Sequence, residues 1–263
     1  MMGAIAGDVI GSTREFDGLK DKQWPLFERV SCFTDDSLLT VEVARWLMDG
    51  GDLVDLFHEC VRANPDGGWG GMFEAWATAR RREPYNSFGN GSAMRVSPVG
   101  WVFDSEQDVL EHAERSAAVT HNHPEGIKGA QAVALAVYMA RTGAAKDDIR
   151  RAMSARFRYA VHLALSEVRR THSFDETCQG SVPEALIAFL ESEDWEDAVR
   201  NAISLGGDAD TQACIAGAIA EAFYGGVPDA IREQTTARLT PSMLGVVDRF
   251  ETSYIRRKSA QPR

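Results

Sequence analysis

The stretch GGDADTQACIAGAIAEAFY, residues 206–224, decides the fold. Its residues 211–224 carry alanine, glycine and isoleucine on most faces of a helix, and a helix that is apolar all round is one that other helices surround. Two glycines and two aspartates stand immediately before this segment, so charge lies at its start. We therefore predict a central buried helix with chemically active residues at its N-terminus.

Helical patterns continue on both sides of this stretch. Apolar residues recur at helical spacing, and good capping residues such as Thr34, Ser105 and Asp194 precede several segments. The sequence lacks the alternating apolar runs joined by Asn-Gly or Asp-Gly turns that indicate strands. The expected helices cover residues 34–50, 52–62, 72–81, 105–119, 124–141, 147–157, 184–190 and 195–205; Pro183 opens the helix at 184–190, and Pro228 and Pro241 each open one more.

These helices belong to one domain in our interpretation. No linker rich in Ser, Pro or Gly divides the sequence, and no repeat of fixed period is visible in it. A chain of 263 residues also buries enough surface for a single large core. The prediction is an all-α, compact single-domain multi-helix orthogonal bundle over residues 1–255, followed by a flexible basic tail at 256–263.

Composition excludes several classes of protein. Lys and Arg number 28 against 39 Asp and Glu, and the resulting net charge of −11 opposes general binding to nucleic acid or anionic membranes. The longest apolar helical stretch, 129–140, is shorter than the roughly 20 residues that a bilayer requires. Asp8 interrupts the apolar N-terminal residues and no basic residue precedes them, which is unlike a signal peptide. Four scattered cysteines without a Cys-x-x-Cys pair favour a reduced, cytoplasmic protein, and we expect a monomer.

Two acidic clusters carry the chemistry of the sequence. Each places two aspartates and a threonine at the start of an apolar helix, and such hard oxygen ligands suit magnesium, manganese or calcium. Helix capping is the alternative, and for the first cluster alone it is the commoner use of these residues. The second cluster favours a metal, because unpaired carboxylates at a buried helix start are costly. The clusters are Thr34-Asp35-Asp36 and Gly206-Gly207-Asp208-Ala209-Asp210-Thr211.

Five segments, in this order along the chain, resemble motifs of the ADP-ribosylglycohydrolase family. The resemblance extends from residue 3 to about residue 228 and therefore covers most of the chain. One departure is Glu221, which stands where the family often has a small residue. The matching segments are Gly3-Ala4-Ile5-Ala6-Gly7-Asp8 leading to Glu15-Phe16; Phe33-Thr34-Asp35-Asp36; Ser87-Phe88-Gly89-Asn90-Gly91-Ser92-Ala93-Met94-Arg95; Thr120-His121 with His123-Pro124; and Gly206 to Thr211 running into Gly225.

The resemblance implies an all-α fold with a dinuclear metal cleft for two divalent cations, Mg²⁺ or Mn²⁺. It implies that Thr34, Asp35, Asp36, Asp208, Asp210 and Thr211 are the metal ligands. Glu15 matches a glutamate near the reacting sugar, and we expect Glu15 and Asp36 to be catalytic. The substrate-binding residues that it implies are Ser87, Phe88, Gly89, Asn90, Gly91 and His121.

The resemblance implies metal-dependent hydrolysis of the glycosidic bond that links ADP-ribose to an acceptor, with arginine on a modified protein as the expected acceptor. Three alternatives stay open at this point. The bond could be O-linked, as to serine; the chain could bind without turnover, as an immunity protein that caps an ADP-ribosyltransferase; or it could be a metal-dependent hydrolase of a phosphoester or nucleotide sugar.

Overall fold

Fifteen α-helices and a closing π-helical turn form the fold in the computed structural model, which describes residues 1–255. In that range the backbone makes no strand, only an isolated bridge between Gly89 and Thr177. The all-α prediction is therefore confirmed. The helices are α1 (Met2–Gly11), α2 (Asp35–Asp49), α3 (Leu53–Ala63), α4 (Gly71–Thr78), α5 (Gly91–Met94), α6 (Ser97–Val102), α7 (Glu106–Ala118), α8 (Pro124–Arg141), α9 (Lys146–Phe157), α10 (Leu165–Thr171), α11 (Cys178–Leu190), α12 (Trp195–Ile203), α13 (Ala209–Tyr224), α14 (Asp229–Thr236) and α15 (Pro241–Phe250), and the π-helical turn is Glu251–Ile255.

Helix α13 is the central helix that its composition predicts. Every residue from 209 to 222 is buried, because α1, α8, α11 and α12 pack around it. Its small side chains allow neighbouring helices to approach, and the alanine, isoleucine and glycine surface is removed from water on all sides. The N-terminus of α13, with Asp208 and Asp210, is consequently held in the interior.

Helices α1 and α13 lie in unusually close contact, and three glycines make this possible. Gly3, Gly7 and Gly11 recur every fourth residue and so line one face of α1. A Cβ added at Gly7 would lie 2.1 Å from the carbonyl oxygen of Ala213, and one at Gly11 would lie 2.5 Å from the Cα of Asp210. Only glycine fits at these positions, and the stripe brings α1 against the start of α13.

The predicted capping residues begin their helices as expected. Thr34 accepts a hydrogen bond from the amide of Asp36, and the Ser105 and Asp194 side chains cap α7 and α12 in the same manner. Pro124 and Pro241 occupy the first turns of α8 and α15.

Two predicted boundaries are wrong. Pro183 does not open a helix but lies inside α11, which begins at Cys178 because the Thr177 side chain accepts from the amide of Gly180 at 3.1 Å. The helix expected at 72–81 ends at Thr78, since Arg80 adopts a left-handed φ of 51°. Four helices, α1, α5, α6 and α10, were not among those predicted.

Glu221, which stands where the family often has a small residue, makes polar contacts with the start of α1. Its carboxylate accepts from the amide of Gly3 at 2.8 Å and pairs with the N-terminal ammonium of Met1, both buried between α1 and α13. The basic tail predicted at 256–263 lies outside the described residues. Among the described helices, none combines the length and the apolar character that a membrane span needs.

Candidate active site and metal centre

A cleft of about 440 Å³ opens where the starts of α2 and α13 meet the loop before α5. It brings together twelve of the thirteen site residues that the sequence predicts. Phe88 does not line it: the side chain is 46% exposed, and its ring packs against that of His123 at a centroid distance of 5.3 Å. The twelve are Glu15, Thr34, Asp35, Asp36, Ser87, Gly89, Asn90, Gly91, His121, Asp208, Asp210 and Thr211.

Asp8, which is not among the predicted site residues, holds one wall of the cleft in place. It projects from α1 and is fully buried. One carboxylate oxygen accepts from the amides of Thr34 at 3.0 Å and Ser37 at 3.1 Å and from the Ser37 hydroxyl, and the other accepts from the Thr34 hydroxyl at 2.7 Å. Asp8 thus satisfies the N-terminal amides of α2 and fixes the orientation of Thr34.

The carboxylates of the cleft form two overlapping groups. Oxygens of Asp8, Asp36 and Asp210 all lie within 4.8 Å of one another, and so do oxygens of Glu15, Asp208 and Asp210. Burial is the main cause that raises the pKa of Asp36 and of Asp210 well above the ordinary range, and neighbouring carboxylates raise both further. The negatively charged forms of these carboxylates are therefore disfavoured unless a positive charge lies beside them.

This cluster fits a pair of hard divalent cations. The buried Asp36 Oδ1 has no hydrogen-bond partner among the described residues, while Oδ2 accepts from the Thr211 hydroxyl at 3.3 Å. Within residues 1–255, no Lys or Arg side chain forms an ion pair with Asp35, Asp36, Asp208 or Asp210. Buried carboxylates without a cationic partner and with oxygen neighbours are a donor set that suits hard divalent cations.

Glu15 stands at the mouth of the cleft, in the loop after α1. It is half-buried, and burial together with the charges of Asp208, Asp8 and Glu176 raises the pKa of Glu15 to about 7. Next to it, the exposed ring of Phe16 lies 5.6 Å from that of Phe174, which itself lines the cleft. The mouth therefore combines acidic groups with an exposed aromatic pair.

The loop at 87–91 lines the cleft beside Asp208 and Glu176, and polar contacts hold it in place. The Asn90 side chain donates to Asp208 at 2.7 Å, and the Asn90 amide donates to the Glu176 carbonyl at 2.8 Å. The Gly89 amide donates to the Ser87 hydroxyl at 3.1 Å. The Asn90 donors thus hold the loop to Asp208 and Glu176, and the Nε2 atom of His121 faces the loop, since a Cβ at Gly91 would lie 3.3 Å from it.

A family model described as ADP-ribosylglycohydrolase matches residues 1–259. The chain belongs to the ADP-ribosylglycohydrolase family. This is a family of hydrolases, and the match spans the cleft and every helix described above.

Curated members of the ADP-ribosylglycohydrolase family are similar to this chain over most of its length. The proteins named ADP-ribosylhydrolase ARH3 from Bos taurus and Homo sapiens are each 28% identical, over 86% of this chain and 84% of theirs. A solved structure titled ADP-ribosylglycohydrolase-related protein complex superimposes with a TM-score of 0.66 at 24% identity, covering 93% of this chain and 95% of that one. At that identity the structural likeness supports the fold.

Five residues in or behind the cleft of this ADP-ribosylglycohydrolase family member are not among the predicted site residues. Tyr85, Arg95, Phe174 and Glu176 line the cleft, and Asp8 lies behind it. The signal for Asp8 was present, since a lone acid in the apolar run 1–11 needs a buried partner. Phe174 and Glu176 carry no local pattern, because they reach the cleft only through the path of the 172–177 segment.

Proposed function

We propose that the chain is a metal-dependent hydrolase of the glycosidic bond between ADP-ribose and an acceptor, with arginine of a modified protein as the acceptor. The observation that carries the proposal is the meeting of two carboxylate groups and a polar loop in one cleft of about 440 Å³. A cleft of that size suits a ligand as large as a nucleotide sugar.

Two divalent cations, Mg²⁺ or Mn²⁺, are the proposed cofactor, and the residues that would hold them are Thr34, Asp35, Asp36, Asp208, Asp210 and Thr211. When bound, the cations supply Lewis-acid charge beside the reacting sugar and lower the pKa of a nearby water. The strongest support is the buried Asp36 Oδ1, which has no hydrogen-bond donor among the described residues, whereas Oδ2 of the same carboxylate accepts from the Thr211 hydroxyl.

Glu15 is the proposed acid–base group. With a pKa of about 7 its carboxyl exists in both protonation states near neutral pH. It takes a proton from the attacking water as the oxygen bonds to the anomeric carbon, and it returns a proton to the leaving nitrogen as the carbon–nitrogen bond breaks. Asp36 is the second candidate proton acceptor. The nearby carboxylates stabilise the positive charge that the sugar ring develops.

The composition of the mouth supports arginine as the acceptor. Glu15 and Glu176 place negative charge there, and the exposed Phe16 and Phe174 rings offer a flat apolar surface. A guanidinium group is planar and cationic, and it stacks on aromatic faces. A serine-linked acceptor has no group that uses both features.

A release assay tests the function directly. The purified chain with Mn²⁺ or Mg²⁺ is incubated with peptides that carry ADP-ribose on arginine or on serine, and with a phosphoester, and free ADP-ribose and phosphate are measured. We expect ADP-ribose from the arginine peptide and a loss of about 10²–10⁴-fold in Glu15→Gln. The exposed Glu111 on α7 provides the matched control, and Glu111→Gln keeps full activity.

Each other outcome of this assay removes one part of the proposal. Faster release from the serine peptide makes the acceptor assignment wrong, and phosphate release makes the bond assignment wrong. No release from any substrate with either metal refutes the enzyme. In that case, co-purification with an ADP-ribosyltransferase in the native chain, lost in Asp36→Ala, would identify a binding protein instead.

We also infer a monomer in the cytoplasm that acts on an ADP-ribosylated protein. All four cysteines are free, which agrees with a reducing compartment. Size-exclusion chromatography with light scattering tests the oligomeric state, and a dimer mass would overturn that part.

A further inference from the structure

Arg95 is a buried cation that neither the metal ligands nor the acid–base group explain. It follows α5 at the floor of the cleft and is fully buried. Its guanidinium lies over the ring of Phe57 at 4.6 Å, and Nη2 donates to the carbonyl of Ser116 and to the hydroxyl of Thr120, both at 2.9 Å. A guanidinium is only a donor, so Thr120 Oγ1 must be the acceptor in this contact.

The Thr120 hydroxyl connects Arg95 to His121 through a second hydrogen bond. Thr120 Oγ1 lies 2.7 Å from His121 Nδ1, and both atoms are buried. A hydroxyl has a single proton. Because Arg95 already occupies one lone pair of Oγ1, the arrangement that uses every group directs the hydroxyl proton to Nδ1. Nδ1 is then an acceptor, and a neutral imidazole carries its proton on Nε2.

The imidazole of His121 is kept neutral by its surroundings. It is 4% exposed, and burial, followed by the charge of Arg95, lowers the pKa of His121 well below its ordinary value. The charged and titratable groups that line this end of the cleft are Arg95, Tyr85 and Glu176. The ring of Tyr85 lies 6.1 Å from the imidazole between centroids and is tilted by 57° to it, and burial raises the pKa of Tyr85 to about 12, so it stays uncharged as well.

The Nε2 atom points at the glycine-rich loop. A Cβ on Gly91 would lie 3.3 Å from Nε2, and one on Gly89 would lie 3.7 Å from it, so the two glycines keep the space in front of Nε2 open. His121 itself lines the cleft. A neutral N–H placed there donates to an anionic oxygen at any pH near neutrality, whereas the other tautomer would present a lone pair and repel it.

We propose that Arg95 and Thr120 are positioning residues that lock His121 in its Nε2–H tautomer, so that the imidazole donates a hydrogen bond to a phosphate oxygen in the loop end of the cleft. The identity of the phosphate ligand rests on the proposed function, whereas the tautomer does not. Arg95 acts through Thr120 and does not touch the ligand.

Nitrogen NMR of the full chain tests the tautomer without any activity measurement. With ¹⁵N-labelled histidine, the two ring nitrogens have distinct shifts for protonated and unprotonated states, and His121→Asn assigns the pair among the six histidines. In the metal-free native chain we expect a protonated Nε2 and an unprotonated Nδ1. Thr120→Val removes the hydroxyl at nearly constant volume and should mix the two tautomers, and Thr120→Ser should restore the native pattern.

Ligand addition tests the phosphate part. With diamagnetic Mg²⁺ present, ADP-ribose should shift the Nε2 resonance, adenosine should not, and Thr120→Val should bind ADP-ribose about tenfold more weakly than Thr120→Ser. A proton on Nδ1 in the native chain overturns the relay. An unshifted Nε2 in ADP-ribose-saturated protein overturns the phosphate contact. Failure of the release assay would refute the hydrolase and leave the tautomer result standing.

Discussion

Replacing Gly7 with alanine should separate α1 from α13 and move the carboxylates of the acidic cluster apart. The new Cβ would stand 2.1 Å from the carbonyl oxygen and 2.4 Å from the carbonyl carbon of Ala213. Both are backbone atoms, so no side-chain rotation relieves the contact. The two helices must move apart by about 0.9 Å before the shorter contact reaches 3.0 Å, the lower limit for real Cβ contacts.

The magnitude follows from the position of this contact. Overpacking of this kind costs about 1–3 kcal/mol, and a clash with backbone atoms belongs to the upper part of that range, about 2–3 kcal/mol. The better helix propensity of alanine offsets about 1 kcal/mol, which leaves a net cost of about 1–2 kcal/mol. For a domain of this size the melting temperature should fall by roughly 2–8 °C. Asp8 and Asp210 flank the contact, and a shift near 0.9 Å exceeds the roughly 0.5 Å tolerance of a preorganised site. Mn²⁺ affinity should therefore fall about 10–100-fold.

Differential scanning fluorimetry and isothermal titration calorimetry measure both effects. Gly245 provides the control, because it also lies in a helix, α15, and a Cβ there meets open space. Gly245→Ala should raise the melting temperature slightly and leave Mn²⁺ binding unchanged. If Gly7→Ala melts and binds Mn²⁺ like the native chain, the close α1–α13 contact does not hold the acidic cluster together.

Three further predictions concern the acidic cluster and the mouth. Asp36→Asn removes one buried carboxylate that neighbouring carboxylates repel, so the protein without added metal should melt at a higher temperature. Calorimetry should show at least about tenfold weaker Mn²⁺ binding. An unchanged Mn²⁺ affinity would show that Asp36 is not a ligand. The folded chain holds the protons of Asp35, Asp36 and Asp210 more tightly than the unfolded chain, because burial raises their pKa, and Glu15 titrates at about 7. The stability that these groups contribute is complete below the ordinary aspartate pKa of 3.8 and is lost as pH rises. Without added metal, the melting temperature should therefore be lower at pH 8 than at pH 5, and Mn²⁺ should raise it more at pH 8. The opposite trend would contradict the assignment. Phe174→Ala should lower kcat/KM about fivefold for arginine-linked ADP-ribose and leave serine-linked substrate unaffected, with Val30→Ala as the exposed control; equal losses on both would refute the aromatic contact with the acceptor.

Helices such as α2, α7 and α12, which have a capping side chain and a regular apolar period, could be predicted from local sequence, whereas α1 was missed. α2, α7 and α12 each begin at a side chain that accepts a backbone hydrogen bond, and this chemistry is local. α1 is buried on every face and has no side-chain cap, so its apolar run shows no amphipathic period. Its helical state depends on its contact with α13, which no local pattern reports.

The acidic cluster shows the same division between local and tertiary information. The two ligand-bearing segments could be recognised by their motifs, although 172 residues separate Asp36 from Asp208. The four-residue spacing of Gly3, Gly7 and Gly11 is visible in the sequence, but its meaning depends on Gly217 and Ala213 lying opposite. Phe88 was expected in the cleft for its neighbours in the motif, and the loop turns its ring toward His123 instead.

The hydrogen bonds resolve a conflict between helix dipoles and cations. The N-terminus of α2 carries partial positive charge, which favours carboxylates and opposes metal ions. The Asp8 carboxylate offsets this partial charge because it accepts hydrogen bonds from the amides of Thr34 and Ser37. Asp210 accepts in the same way from the amide of Thr211 at the start of α13. Asp36 Oδ2 accepts from the Thr211 hydroxyl, and Oδ1 has no hydrogen-bond partner in the described chain. Asp8 and Asp210 therefore accept hydrogen bonds from amides at the two helix starts, while Asp36 Oδ1 accepts none from the described residues.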